Sequence, residues 1–215
     1  MIDYIAHQWR QPINTLALIV QVLRDTYHDG ECNSEYMDET VERIMNLIMN
    51  MSQTIQDFRN FSRPDLEMKP FDLKEAVNKT LILVGDSFKA QNIQVDMQAQ
   101  EDLVVTGYPN EYSQVLLIIL NNARDALIER TVASPRIEIN LFREGGMTVA
   151  TISDNAGGIP DEIFDRIFDP YFTTKDDEKG SGIGLYMSKA IIETRFYGKI
   201  SARNTDQGAE FRIEL

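Results

Sequence analysis

The chain has 215 residues, 43% hydrophobic and 26% charged, with 34 acids against 21 bases and a net charge of −13. That length allows one or two domains, that composition argues against wholesale disorder, and an acidic surplus carried by both halves argues against electrostatic binding of nucleic acid. The single cysteine, Cys32, rules out an internal disulfide and fits a reducing compartment, and no apolar run approaches the ~20 residues needed to cross a bilayer.

Residues 1–66 are predicted as two helices joined by a turn. Ile5, Trp9, Ile13, Leu16, Val20 and Leu23 recur at spacings of three and four. Met37, Val41, Ile44, Ile48, Met51, Ile55 and Phe58 repeat the pattern, which marks one buried face per helix. Between them, residues 28–34 hold the turn residues, with Ser34 as the expected N-cap and His28 expected at the surface near the dipole's negative end. Each helix of about 25 residues would be roughly 37 Å long. Two such helices bury little by themselves. A hairpin with a long apolar stripe usually completes its core by pairing with a copy of itself, so a homodimeric four-helix bundle through residues 1–66 is expected.

Ser62-Arg63-Pro64 ends the second helix and Lys69-Pro70 follows, so residues 62–70 read as a linker. Beyond it the pattern predicts a helix over Leu73–Ala90, a strand over Ile93–Met97 and a long helix over Asn110–Ile128. Ile137–Leu141 alternates apolar and polar, and Gly145-Gly146 turns it into a second strand, Thr148–Ile152. A helix over Ile183–Phe196 precedes two closing strands, Lys199–Arg203 and Glu210–Leu215. Adjacent antiparallel strands with helices gathered elsewhere predict an α/β sandwich with its helices on one face. The fold class is therefore α+β, with one domain over residues 1–66 and a second over 67–215.

Four segments of the second domain carry candidate chemistry. Asn121-Asn122-Ala123-Arg124-Asp125-Ala126 lies on the helix over Asn110–Ile128. An amide oxygen is a hard ligand suited to Mg²⁺ held jointly with phosphates; a plain helix-surface position is the alternative, and the better one for Asn121. Asp154-Asn155-Ala156-Gly157-Gly158-Ile159-Pro160 follows an apolar strand. A carboxylate there can accept a hydrogen bond from an exocyclic amine such as adenine's, and the glycines let backbone approach a ligand that a Cβ would block. A plain strand–turn–helix connection opened by Pro160 weighs about equally. Phe168–Phe172, then Thr173-Thr174-Lys175 and the charged residues 176–179, read as an aromatic anchor and a lid, with Lys175 able to reach a terminal phosphate. For residues 176–179 a solvated loop is the favoured alternative. Gly180-Ser181-Gly182-Ile183-Gly184-Leu185 opens a helix, whose free amides and positive dipole end suit phosphate oxygens; a flexible loop ending in a cap is the alternative. Its spacing matches neither the P-loop nor the dinucleotide pattern.

Together and in this order, these residues resemble the catalytic and ATP-binding domain of sensor histidine kinases, whose fold is shared with gyrase, mismatch-repair and heat-shock-chaperone ATPases. Asn122–Ala126 resembles the N box, Asp154–Ile159 the G1 box, Phe168–Phe172 the F box, Gly180–Leu185 the G2 box and Gly208–Phe211 the last glycine box, over about 90 residues. His7-Gln8-Trp9-Arg10-Gln11-Pro12 resembles the H box of the dimerisation and phosphotransfer domain. The resemblance implies ATP-dependent phosphorylation of His7, then transfer to an aspartate on a response regulator's receiver domain. It implies ATP held by Asn122, Arg124, Asp154, Gly158, Lys175, Gly180, Gly182, Ile183, Gly184 and Leu185, with Mg²⁺ on Asn122. It also implies a cytoplasmic piece of a larger sensor, attached to a membrane only through segments outside this chain.

His7 lies between Ile5 and Trp9, at the edge of the apolar stripe, where a neutral imidazole nitrogen can attack a γ-phosphoryl in line. Pro12 has no N–H to give the carbonyl of Gln8, so the helix is expected to bend just beyond His7. Three residues depart from the family pattern. Gln8 stands where the family is commonly acidic; it can accept from the imidazole N–H but cannot take a proton, which predicts slower autophosphorylation. Gln11 stands where the family often has Thr or Asn to position water for dephosphorylating the regulator. Ile118 stands where the family usually has Asn and the chaperone-type ATPases have a Glu base, which argues against ATP hydrolysis and removes a polar group beside the metal. Ile118 and Gln8 sustain one alternative: a degenerate nucleotide site in a protein acting as a phosphatase or a regulator-binding scaffold.

Overall fold

The computed structural model describes residues 2–45, 48, 67–175 and 182–215, with side chains from residue 13 onward. The chain divides into two compact units, residues 1–61 and 62–215.

In the first unit, α1 spans Ile2–His28, 27 residues that extend about 40 Å at the α-helical rise. Residues 34–45 are helical (α2). The cap of α2 is Asn33 rather than the predicted Ser34. The Asn33 Oδ1 accepts from the Tyr36 N–H at 2.8 Å, and Ser34 is already helical. Both residue types cap well, and the turn places the asparagine at the boundary. Leu16, Leu23, Met37 and Ile44 are half-buried in the hairpin, whereas Ile13, Val20, Val41 and Ile48 of the predicted stripe stay exposed. His28 is exposed in the last turn of α1, edge-on to the Tyr27 ring. Met51, Ile55 and Phe58 lie outside the described residues, as do residues 62–66 of the expected linker.

The second unit opens on β1 (Lys69–Asp72) and α3 (Leu73–Ala90), whose N-cap Asp72 accepts from the Glu75 N–H at 2.9 Å. Then come β2 (Gln94–Ala99), β3 (Val104–Gly107), α4 (Pro109–Glu129), β4 (Arg136–Glu144), β5 (Met147–Asp154), the single turn α5 (Asp161–Phe164), α6 (Gly184–Arg195), β6 (Lys199–Asn204) and β7 (Ala209–Glu214). The linker expectation is corrected at its end, since Lys69 and Pro70 already pair with Gly107 and Thr106 in a small antiparallel sheet of β1 and β3. A proline fits there because an edge strand can spare its N–H.

The main sheet runs β2-β4-β5-β7-β6, with β2 parallel to β4 and the other pairs antiparallel. Gly145 and Gly146, at φ +59° and +86°, form the β4–β5 turn that needs both residues left-handed. Register puts Ile137, Ile139 and Leu141 beside Asp154, Ile152 and Ala150, and these beside Phe211 and Ile213. That face is buried, and α3, α4 and α6 pack behind the sheet on one another and on β2, β5 and β6. The opposite face carries Glu138, Glu210, Arg212 and Glu214, with Glu210, Val149 and Thr151 buried towards its centre. Among the described residues, no helix is long and apolar enough to cross a membrane.

Candidate functional site

Asp154 ends β5 on the buried face of the sheet and is 9% exposed. Its Oδ1 accepts from the Ala156 N–H at 2.9 Å and from the Ala209 N–H at 3.3 Å. Oδ2 has no hydrogen-bond partner among the described residues. Burial pushes the carboxyl pKa above its usual range, against the pull of those two amides and the charge of Arg130. The surrounding glycines are required by contact. A Cβ on Gly208 would stand 2.0 Å from the Asp154 carbonyl oxygen, and one on Gly158 (φ +84°) would stand 2.8 Å from Asn204 Oδ1. The Asn204 side chain reproduces a backbone pair with Ile159, accepting from its N–H at 2.7 Å and donating to its carbonyl at 2.8 Å. Asn155 does the same for the neighbouring loop, donating to the Ser134 carbonyl and accepting from the Arg136 N–H, both at 2.8 Å. Arg130, the C-cap of α4, donates to the Ala156 carbonyl. Pro160 is the N-cap of the short α5.

The other end of the site is built from charged side chains. Asn122 lies in the penultimate turns of α4, and its Oδ1 accepts from Lys175 Nζ at 3.4 Å. Lys175 Nζ also donates to Asp125 Oδ2 at 2.7 Å. Asp125 Oδ1 accepts from Arg124 at 2.6 and 2.9 Å, and Arg124 reaches Ser87 Oγ of α3 at 3.4 Å. The predicted residues Asn122, Arg124 and Lys175 are thus brought together. Sequence reading missed the carboxylate that joins two of them. Its signal was available: Asp125 is three residues after Asn122, which puts both on one helix face. Asn121 is corrected from a plain surface position, because its Oδ1 is buried without a hydrogen-bond partner among the described residues.

The helix α6 starts at Gly184, with Ile183 as its N-cap, and its first hydrogen bond runs from the Met187 N–H to the Ile183 carbonyl. The amides of its first turn lie outside that ladder. Gly182, at φ +64°, meets the backbone of Tyr171, where an added Cβ would stand 2.6 Å from the carbonyl oxygen. The predicted anchor and glycine segments therefore touch main chain to main chain. Phe168 packs edge-on against Phe211 of β7, at 6.4 Å between centroids. Ile118 faces Gly184, its Cγ2 standing 3.1 Å from where a Cβ would lie. It fills space beside the glycine and offers no polar group. Leu185 follows in the first turn of α6. Gly180 lies outside the described residues, as do residues 176–179. His7, Gln8 and Gln11 fall on α1, with side chains outside the described set. Among the described residues, no group of three or more His, Cys, Asp or Glu side chains could hold a metal ion.

The family model for histidine kinase-, DNA gyrase B- and HSP90-like ATPases matches residues 107–215, and the model for the His Kinase A (phospho-acceptor) domain matches residues 1–67. The chain belongs to the histidine kinases. Among relatives of this kinase core, the two-component sensor PprA of Pseudomonas aeruginosa is 32% identical over 100% of this chain and 24% of its own length. The signal transduction histidine-protein kinase AtoS of Escherichia coli is 30% identical over 98% of this chain and 33% of its own. The kinase core therefore spans about a quarter to a third of these relatives. Of solved structures, the catalytic domain of histidine kinase ThkA is 30% identical with a TM-score of 0.62, covering 70% of this chain and 95% of that one. ThkA in complex with the response regulator TrrA is 24% identical with a TM-score of 0.58, covering 100% of this chain and 60% of that one, and shares the fold. The second unit thus has the fold of the histidine kinase catalytic domain.

Proposed function

We infer that this chain is the core of a sensor that takes the γ-phosphoryl of ATP onto His7 and passes it to an aspartate of a response regulator's receiver domain. The observation that carries this reading is the Asp154 carboxylate. One oxygen is pinned by two main-chain amides, and the other is left for an outside donor at the mouth of a glycine-lined loop. An adenine amine supplies such a donor. Gly158 lets the loop approach the base, and Asn122, Arg124 and Lys175, with Gly182, Ile183, Gly184 and Leu185 at the start of α6, are assigned to the phosphates. Gly180, from the same glycine segment of the sequence, is assigned to the phosphates with them. The Asn122 amide oxygen fits Mg²⁺ shared with phosphate oxygens, and the ion would neutralise phosphate charge there.

In the transfer, an imidazole nitrogen of His7 bonds to the γ-phosphorus as the bond to the bridging oxygen breaks, and ADP leaves with that electron pair. The proton on the other ring nitrogen is then released. Gln8 can hold that N–H but cannot remove its proton, so Gln8→Glu is expected to raise the single-turnover rate. Gln11 offers an amide for ordering water during dephosphorylation of the regulator. The working division is taken as residues 1–66 for dimerisation and phosphotransfer and 67–215 for nucleotide binding, in a cytoplasmic portion of a larger sensor. The exposed Ile13, Val20, Val41 and Ile48 support closure of the hairpin into a homodimeric bundle.

Incubation with γ-labelled ATP tests the reading. Acid-labile, base-stable label is expected on the wild type and absent from His7→Ala. Steady release of labelled phosphate with no phosphoprotein would overturn it.

A further inference from the structure

The contacts around Lys175 hold more than a phosphate-binding cation needs. Its ammonium is 2.7 Å from Asp125 Oδ2 and 3.4 Å from Asn122 Oδ1, and its own N–H is tied to Thr173 Oγ1 at 3.1 Å. The carboxylate cannot easily turn aside. Its other oxygen is held by the Arg124 guanidinium, which is itself tied to Ser87 on the neighbouring helix. The side chains of Lys175 and Asp125 are 28% and 31% exposed, so the pair is neither dry nor freely solvated. One negative charge is thus shared between two cations, a helical turn from the amide oxygen proposed for the metal.

We propose that Asp125 is a positioning residue that sets the preference for ATP over ADP, by competing with the terminal phosphate for Lys175. The inference rests on the assignment of Lys175 to that phosphate. The chemistry is an exchange of partners. With no terminal phosphate, the ammonium satisfies Asp125. A γ-phosphate, more highly charged, draws the ammonium off the carboxylate and leaves Asp125 to Arg124. The free energy of breaking the Lys175–Asp125 contact is then subtracted from ATP binding and not from ADP binding. An ion pair of this exposure shifts an equilibrium about two- to fivefold, so Asp125 tunes the discrimination and does not lock it.

The test is a double-mutant cycle read by titration calorimetry on the full chain, with Mg²⁺ and either ADP or a non-hydrolysable ATP analogue. Asp125→Asn keeps an oxygen for Arg124 and removes the charge. It is expected to raise the ATP-over-ADP affinity ratio about two- to fivefold. Lys175→Gln is expected to lower that ratio, and Asp125→Asn added to Lys175→Gln is expected to change nothing further. If Asp125→Asn leaves or lowers the ratio, or tightens ATP and ADP alike, the inference fails. It fails equally if the gain survives in the Lys175→Gln background, because the carboxylate would then be repelling the phosphates directly. If Lys175→Gln leaves the ratio at its wild-type value, the prior assignment of Lys175 falls, and this inference with it.

Discussion

At the Asp154 end of the proposed nucleotide site, the ligand-facing carboxylate is held by main-chain amides, and the loops beside it are closed by asparagines that imitate main chain. At the Lys175 end, the contacts are between charged side chains on α4 and the segment after Phe172. The first end is held by main chain, one donor from β7 and one from a loop that Arg130 and the asparagines tie down, so a ligand there meets a preformed partner. The second can exchange partners at modest cost, since its half-buried ion pairs connect side chains and not main chain. On the proposed function, recognition of the base and handling of the phosphates fall to differently built halves.

The largest test of that contrast is Asp154→Asn. It reverses the complementarity toward an amine donor while keeping an oxygen for the Ala156 and Ala209 amides. Nucleotide affinity is expected to fall about 10- to 100-fold by calorimetry, as loss of a hydrogen bond to a charged group implies. Stability should move the other way. The Asp154 pKa is raised in the fold, so the native state binds more protons than the unfolded chain once pH exceeds the unfolded value. Its contribution therefore declines as pH rises through the raised native pKa, and the charged form is carried at a cost at neutral pH. Asp154→Asn should melt at or above the wild-type temperature at pH 7, and its advantage should shrink as pH is lowered toward the unfolded carboxylate range. A melting temperature well below wild type at pH 7 would break the contrast, because Asp154 would then be a structural group.

Gly208→Ala probes the rigid half next. A Cβ at 2.0 Å from the Asp154 carbonyl must displace main chain, so a loss of about 2–3 kcal/mol is expected in denaturant titrations. Asn204→Ala removes both contacts to Ile159 at a partly solvated loop, with about 1 kcal/mol expected and a weakened affinity for nucleotide. In the exchangeable half, Ile118→Asn adds a polar group beside Gly184. Affinity for an ATP analogue should tighten about two- to fivefold with Mg²⁺ and stay unchanged in a chelator. Equal tightening in both would show that the gain does not involve the metal.

Much of this architecture was legible from pattern. The helix over Leu73–Ala90 falls on its predicted residues, and β4 and β5 cover the alternating Ile137–Leu141 and the strand predicted over Thr148–Ile152, with one to three extra residues at their ends. Four-residue elements were not legible. In β1, Pro70 speaks for a linker, and in β3, Val104-Val105-Thr106-Gly107 is too short for a period to declare itself. The parallel pairing of β2 with β4 leaves no local trace, since the two strands are joined by a crossover through β3 and α4. At the site, the glycine segments announced Asp154, Gly158 and Gly182 because a close approach demands glycine. Asp125, Asn155 and Asn204 were missed because a polar residue on a helix face or in a loop is common, and only its partner gives it a role.

The helix α4 touches both halves. Arg130 at its end fastens the Ala156 carbonyl beside Asp154, and eight residues earlier Asn122 meets Lys175. Eight residues of α-helix measure about 12 Å, a length that side-chain rearrangement cannot alter. In the proposed site the helix is therefore a built-in ruler: it would fix how far from the base a phosphate must reach before the exchangeable charges can count it.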